Sequence, residues 1–476
     1  MTDVQSGPTI TAPSAWVRSA VISLVAAMGG LLFGYDWIVI SGAKPFFQAY
    51  FNITNPDTIG WAMSCALLGA LAGATTSGYV ADRWGRKKLL IASGLLFAAS
   101  SLGTGWAASF GMFIFWRLAG GVAIGIASNL SPLYIAETAP AHLRGRLVAI
   151  NQLTIVTGIL LADVINWMIA RPVAPHATAA IIAASWNGRY GWRLMFTIVT
   201  APAILLFIAA WFIPESPRWL AARGRMTAAR RALEQLRGSA SNEEFASLRA
   251  SSGQHTASVP LASLFSRRMM PVIVMGVVLA VLQQWCGINV IFSYAQNVFS
   301  DAGYHVNGVL FNIMITGSVN LVFTIIAMAL VDRLGRRALM LMGAGGLVMT
   351  HLALGYLFYV HVHGLLVVCL VMAAIACYAM TLAPVTWVLI SEIFPSEIRA
   401  TAVSLAVSAL WLADFILTQT YPLLEARVGA SGAFWLYAGV CLAGFLYILR
   451  VVPETKGRSL EQLSDMLCYN GSRNKA

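Results

Sequence analysis

Twelve runs of roughly twenty apolar residues, separated by mostly short polar links, constrain this chain more than any other feature. They fall near residues 16–40, 58–81, 89–108, 112–135, 147–170, 191–213, 271–298, 307–331, 338–360, 365–390, 400–423 and 432–450. A helix of about 20 apolar residues crosses a hydrocarbon core of roughly 30 Å. Composition agrees, with 58% hydrophobic residues and only 11% charged ones. Soluble domains carry about 25% charge, and less than half of that cannot cover a wetted surface. The same apolar excess excludes disorder. The chain reads as an all-α, polytopic membrane protein. Its first run is too long for the apolar core of a cleavable leader, about 7–15 residues, and is expected to be the first span.

The one long polar insertion, 214–270, divides the spans six and six. The expected units are therefore 1–213, a link at 214–270, 271–452, and a tail at 453–476. Within the link, 227–237 and 242–249 read as short helices of mixed charge, with Leu233, Leu236, Phe245 and Leu248 as a thin apolar stripe. Six cysteines, at 65, 286, 369, 377, 441 and 468, are spaced neither as a disulfide framework nor as a zinc site.

The cations orient the chain. With both termini cytoplasmic, 25 of the 31 lysines and arginines lie on the inner side and five on the outer side, leaving Arg117 within a span. This is the positive-inside bias. It accounts for the net charge of +12 by attraction to an anionic leaflet, with no nucleic-acid partner.

The two halves repeat the same signals. Asp82, Arg83 and Arg86 recur as Asp332, Arg333 and Arg336, and Glu137 with Arg144 recurs as Glu392 with Arg399. Glu215 and Arg218, after the sixth span, are echoed by Glu454 after the twelfth. Duplicated halves with a path at their interface are a transporter signature. The acids at matched spacing are expected to form cytoplasmic ion pairs between the halves, made when the inner side is shut and broken when it opens.

The segments GYVADRWGRKK, PLYIAETAPAHLRGR, PESPRWL, QQWCGINVIFSYA, LVDRLGRR, PVTWVLISEIFPSEIRA and PETKGRSLEQL carry a resemblance over essentially the whole length. The chain resembles the sugar porter family of the major facilitator superfamily, closest to bacterial sugar–proton symporters. That resemblance implies twelve helices in two pseudo-symmetric six-helix bundles, with short cytoplasmic helices between them. One departure is Met328, which stands where the first loop has Gly78.

A charge within a span costs about 2.5–3.5 kcal/mol near its centre, so each needs a reason. Asp36 lies 18 residues beyond Arg18 on the first span, about 27 Å up the helix. Arg117 enters the descending fourth span at a comparable depth. A buried Asp–Arg pair neutralises both charges and opens when the carboxyl is protonated; the alternative is a static pair locking two helices. The resemblance favours the switch, because symporters of this family carry Asp where Asp36 stands. The family's second acidic relay position aligns with Val199, which puts a two-carboxylate relay in doubt. Asp163 shares a helix face with Gln152 and either lines the outer vestibule or snorkels to the surface; Asp414 has no assigned role.

Sugar hydroxyls suit amides, which donate and accept without a charge to desolvate, and an aromatic face suits the C–H side of the ring. Gln152, Gln283, Gln284, Asn289 and Asn320 supply amides; Trp387, Trp411 and Phe33 are candidate aromatic partners. By resemblance, Gln152, Gln283, Gln284, Asn289, Asn320 and Trp387 match the family's sugar-contacting positions, whereas Leu410 stands where many relatives carry an amide. Pro384, three residues before Trp387, is a candidate hinge.

The expectation is a secondary transporter importing a neutral monosaccharide with a proton by alternating access. It would draw on the proton gradient with no cofactor, as a monomer in a bacterial inner membrane. A passive facilitator is the alternative, and a sugar sensor is disfavoured by the short tail. Nothing in the sequence resembles an enzyme's nucleophile–base pair, metal cluster or phosphate cradle.

Overall fold

The structure, a computed structural model, describes residues 15–140, 143–174, 177–237, 245–246, 249, 266, 269–304, 306–394 and 399–456. Among these residues there is no strand, and eleven helices are long and apolar enough to cross a membrane. The first five spans are the helices Ala15–Tyr50, Pro56–Trp84, Arg86–Gly105, Phe110–Thr138 and Arg144–Ile169. Spans eight and nine are Val306–Leu334 and Arg336–Tyr359. The expected eleventh and twelfth spans are two helices within Arg399–Val451 that meet at a kink at Gly429, whose φ of 68° and ψ of 175° are not helical. Of the two helices expected in the link, the first is Met226–Arg237, packed on the short helix Pro217–Ala222 through Leu220, Ala221, Ala229 and Ala232. The second, 242–249, lies largely outside the described residues.

Lipid tails are as apolar as leucine, so these helices gain by close backbone approach at small residues. A Cβ at Gly34 would come within 2.0 Å of the Ile155 carbonyl oxygen, joining spans one and five. One at Gly121 would come within 2.0 Å of the Ala66 carbonyl oxygen, joining spans four and two. The first six spans meet the last six where span two packs on span eleven and span five on span eight.

Three spans are interrupted. Span six begins with a wide turn at Asn187–Gly191 and continues as Trp192–Thr197 and Thr200–Phe212. Span seven runs as Met270–Trp285, Ile288–Ser293 and Ala295–Asp301, with Gly287 between the first two at a φ of 88°. Span ten divides into Leu365–Met380 and Leu382–Ile393 at Thr381, whose φ and ψ are −130° and −86°. Pro384 explains the last break: its ring excludes the carbonyl of the residue four before it, Met380, and it donates no hydrogen bond.

The cytoplasmic loops of the two halves have the same local build. Gly85 (φ 98°) and Gly335 (φ 89°) turn the chain sharply between spans two and three and between spans eight and nine. A Cβ at either would strike a carboxylate, Glu215 Oε2 at 2.3 Å or Glu454 Oε2 at 2.7 Å. Glu215 accepts from the backbone N–H of Arg86 (2.9 Å) and Lys87 (3.2 Å), and Glu454 from those of Arg336 (3.0 Å) and Arg337 (3.1 Å). Each glutamate thus satisfies the orphan donors at the start of a helix and meets the positive end of its dipole.

The cytoplasmic ion pairs seen among the described residues join side chains of the same half. Arg86 holds Glu137 through two bonds of 3.0 Å and reaches Asp82 at 3.0 Å, while Arg336 reaches Glu392 at 3.3 Å. The turn at each glycine swings its arginine back onto the neighbouring helix of the same half, so the partner is local. Arg83 and Arg218 are exposed, and so is Arg333, whose backbone carbonyl accepts from Lys456 (2.7 Å). The side chains of Arg144, Asp332 and Arg399 lie outside the described residues.

Burial alone would raise the Glu454 carboxyl, but the backbone N–H groups of Lys456, Arg336, Arg337 and Thr455 outweigh it and hold it below the usual range. A carboxyl depressed on folding adds stability above its unfolded value, and that stability is lost as pH falls through the folded value. The thermal stability of the wild-type chain should therefore exceed that of Glu454→Gln near neutrality, and the gap should close below about pH 4. A Tm series in detergent checks this. Gly85→Ala should lower Tm at every pH, since positive φ and the Glu215 contact cost it about 1–3 kcal/mol.

Candidate substrate and proton site

Asp36 and Arg117 meet inside the protein. Arg117 Nη1 donates to Asp36 Oδ2 at 2.8 Å, and the residues are 4% and 2% exposed. The same nitrogen lies 3.4 Å from the Asp36 backbone carbonyl, and the guanidinium stands 5.5 Å from the centre of the Phe196 ring. Arg117 Nε is buried without a hydrogen-bond partner. Among the described residues the carboxylate is the one counter-charge paired with the guanidinium, and it is so through a single contact. Removing one member of such a pair leaves an uncompensated buried charge worth about 3–5 kcal/mol. Protonating Asp36 creates the same imbalance reversibly.

Next to this pair in sequence, Trp37 and Phe33 point toward the second half. Trp37 stands 5.9 Å from Phe292 of span seven, and Phe33 stands 5.5 Å from Trp411 of span eleven. The break at Gly287 exposes the amides of span seven to the same interior. Asn289 donates to Gln284, and also to Asp414 Oδ1 at 3.0 Å. Gln283 donates to the Ala383 carbonyl of span ten at 3.1 Å, beside the break at Thr381. Two polar atoms here are buried and without partners, Gln283 Oε1 and Trp411 Nε1. One is an acceptor and the other a donor.

Of the residues singled out by sequence, Asn289 contacts Gln284, Phe33 contacts Trp411, and Gln283 turns to span ten. Asn320 is buried on span eight, while Gln152 on span five and Trp387 on span ten are half-buried. Asp414 is a finding of the structure: buried one turn beyond Trp411, it accepts from Asn289 and from Thr418 Oγ1 (3.4 Å) and faces the Trp37 indole. A carboxylate one turn past a candidate ring-stacking residue was the available signal.

A second group that sequence reading missed lies at the outer end. Lys44 of span one donates to the Asn297 side-chain oxygen, and Asn297 donates in turn to Glu425 Oε2 at 2.7 Å. Tyr421 donates to Glu425 Oε1 at 2.9 Å, and Lys44 lies 4.9 Å from the centre of the Tyr294 ring. Nearby, Ser64 of span two donates to Gln419 Oε1 at 2.7 Å, and Gln419 donates to the Asp57 carbonyl at 3.2 Å. These contacts bind the first six spans to the last six at the outer face, so the outer entrance is closed in this form.

The family model for sugar (and other) transporters matches residues 22–467. The chain belongs to that family. It is 35% identical over 474 residues to the D-xylose-proton symporter of Escherichia coli strain K12, covering 93% of this chain and 94% of that one. It is 38% identical over 457 residues to the glucose transport protein of Synechocystis, covering 93% and 96%. Among solved structures, the inward open conformation of the E. coli xylose transporter superposes with a TM-score of 0.80 at 34% identity, over 94% of this chain and 99% of that one. The protein is thus a multi-pass membrane transporter of the major facilitator fold, and its family and neighbours are transporters and not enzymes.

Trp411→Phe, which removes the indole N–H and part of the ring, and Gln283→Ala, which removes the amide, should each raise KM for the sugar by at least about three- to ten-fold, one hydrogen bond's worth. Initial-rate uptake in proteoliposomes measures it. Asn297→Ala, which cuts the link from Lys44 to Glu425, should shift the chain toward the outward-open form without a comparable loss of sugar affinity in that form.

Proposed function

We propose that this chain imports a neutral monosaccharide together with a proton, by rocking its halves about a site formed by Gln152, Gln283, Gln284, Asn289, Asn320, Trp387 and Trp411, with Phe33 at its edge. The observation that carries the reading is the buried Asp36–Arg117 contact, one residue from Trp37 and so within reach of the amide and aromatic cluster. The xylose and arabinose symporters among its relatives, named for proton coupling, support the same chemistry.

The cycle follows from charge. A proton from outside neutralises Asp36, and Arg117, now without its counter-charge, favours the outward-open form, where water reaches it. Sugar then enters, and its hydroxyls engage the amides of span seven and the Trp411 N–H. Each such bond spans or narrows the gap between the halves, so occupancy stabilises closure at the outer side. Once the inner side opens, Asp36 gives up its proton to the cytoplasm and pairs with Arg117 again, the form seen here. The breaks at Gly287 and Thr381 let the sugar-facing parts of spans seven and ten move without bending intact helices. The protein works as a monomer in a bacterial inner membrane, with both termini in the cytoplasm, and the proton gradient supplies the driving force.

In proteoliposomes, wild-type protein should alkalinise the outer medium when sugar enters and should accumulate sugar above equilibrium. Asp36→Asn should abolish both while retaining sugar exchange across the membrane. Sugar entry without proton movement in the wild type, with no accumulation, would establish passive transport instead.

A further inference from the structure

Asp163 stands apart from the machinery described so far. It is 1% exposed, on span five, and both of its carboxyl oxygens lack a hydrogen-bond partner. This excludes the snorkelling position that its sequence context left open. Its carboxyl lies on the backbone of span eight in the opposite half: a Cβ at Gly317 would fall 2.5 Å from Asp163 Oδ2. Leu160, one turn earlier, seats on the same glycine, with its Cα 3.2 Å from that position. The carboxyl is therefore enclosed at a seam between the halves. It lies about 9 Å from the outer end of the helix Arg144–Ile169.

The groups around it offer no compensation. From span one, the phenol of Tyr35 is the titratable neighbour; it feels both Asp163 and Asp36, and its hydroxyl donates to the Met195 carbonyl at 3.4 Å. Span eight presents Gly317 to the carboxyl, with no charge. Among the described residues, no lysine, arginine or histidine pairs with it. An ionised carboxylate without partners in a dry seam is costly, by several kcal/mol, and proteins avoid that cost by keeping the group protonated.

We propose that Asp163 is a gate proton site: it takes a proton from the outer side as the outer entrance closes and returns it to that side on reopening. In the outward-open form, spans five and eight part at their outer ends, and the carboxyl, wetted, ionises. In the closed form it is the neutral acid against Gly317. No net proton crosses the membrane by this route, so the sugar-to-proton ratio is set elsewhere. What Asp163 adds is a dependence of outer closure on outside pH, with alkaline medium holding the entrance open. The inference rests on the alternating-access reading above but not on Asp36 as the coupling group.

The test is a measurement of conformation, not uptake. Spin labels at Thr54 and Val360, on the outer loops of the two halves, report closure of the outer entrance in the purified full chain. In an Asp36→Asn background, which removes the titration of the pair, the closed-to-open ratio should fall as pH rises. The fall should approach about ten-fold per pH unit, the limit for one coupled proton. In Asp36→Asn/Asp163→Asn it should change less than about two-fold per unit. Equal pH profiles in the two proteins would overturn the proposal. Should the double variant fail to fold, infrared spectra decide. A protonated-carboxyl stretching band should accompany the outer-closed form in Asp36→Asn and change frequency in Asp36→Asn/Asp163→Glu. An outer-closed form whose protonated-carboxyl bands do not respond to that change refutes it. Proton uptake that survives Asp36→Asn would sink the coupling reading while leaving these outcomes standing.

Discussion

A carboxylate facing a guanidinium in an apolar interior is the interaction on which the rest of this structure depends. Neither Asp36 nor Arg117 is tolerable there alone, and together they make only one close side-chain contact, with Arg117 Nε left bare. A fully satisfied, bidentate pair would be a lock. This pair is held by one contact, and among the described residues Asp36 is the only carboxylate paired with the cation. The placement matters as much as the chemistry: Trp37, the residue after Asp36, reaches across to Phe292 in the half that carries most of the candidate sugar ligands.

The helices that carry those ligands are the broken ones. An intact membrane helix keeps its backbone groups to itself, and its side chains move only with the whole rod. Gly287 and Thr381 interrupt that rigidity where Gln283 meets the Ala383 carbonyl. Backbone that would be untenable facing lipid is acceptable here because it lies within the protein. By contrast, the cytoplasmic loops are built for stiffness. Glu215 and Glu454 each clamp the first turn of a helix, and Arg86 and Arg336 tie that turn to the neighbouring helix of the same half. Rocking can then leave these ties intact.

Much of this was legible in the sequence. Span positions follow from hydropathy, orientation from the cations, and the depth match of Asp36 with Arg117 from counting residues along two helices. A residue count gives depth but not azimuth; the two charges meet because hydrocarbon leaves them no alternative. Where several polar partners were possible, the sequence could not choose. Matched spacing of Asp82, Arg86 and Glu137 with Asp332, Arg336 and Glu392 announced ion pairs. It did not reveal that the sharp turns at Gly85 and Gly335 direct them inward to their own half. Asp414 on Asn289 and Lys44 on Asn297 depend on how helices distant in sequence are rotated, and no periodicity reports that.

Asn297 has a consequence of its own. Lys44 and Glu425 are not in direct contact; a neutral amide stands between them, receiving a proton donor on its oxygen and offering one from its nitrogen. Interposing a dipole lengthens the separation of the charges and spreads their attraction over two bonds. The joint is directional and specific, yet neither bond alone carries the whole Coulombic attraction. Such a joint parts stepwise, with solvent entering at one bond before the other yields. The outer closure is thus specific in its register without resting on any one full-strength ion pair.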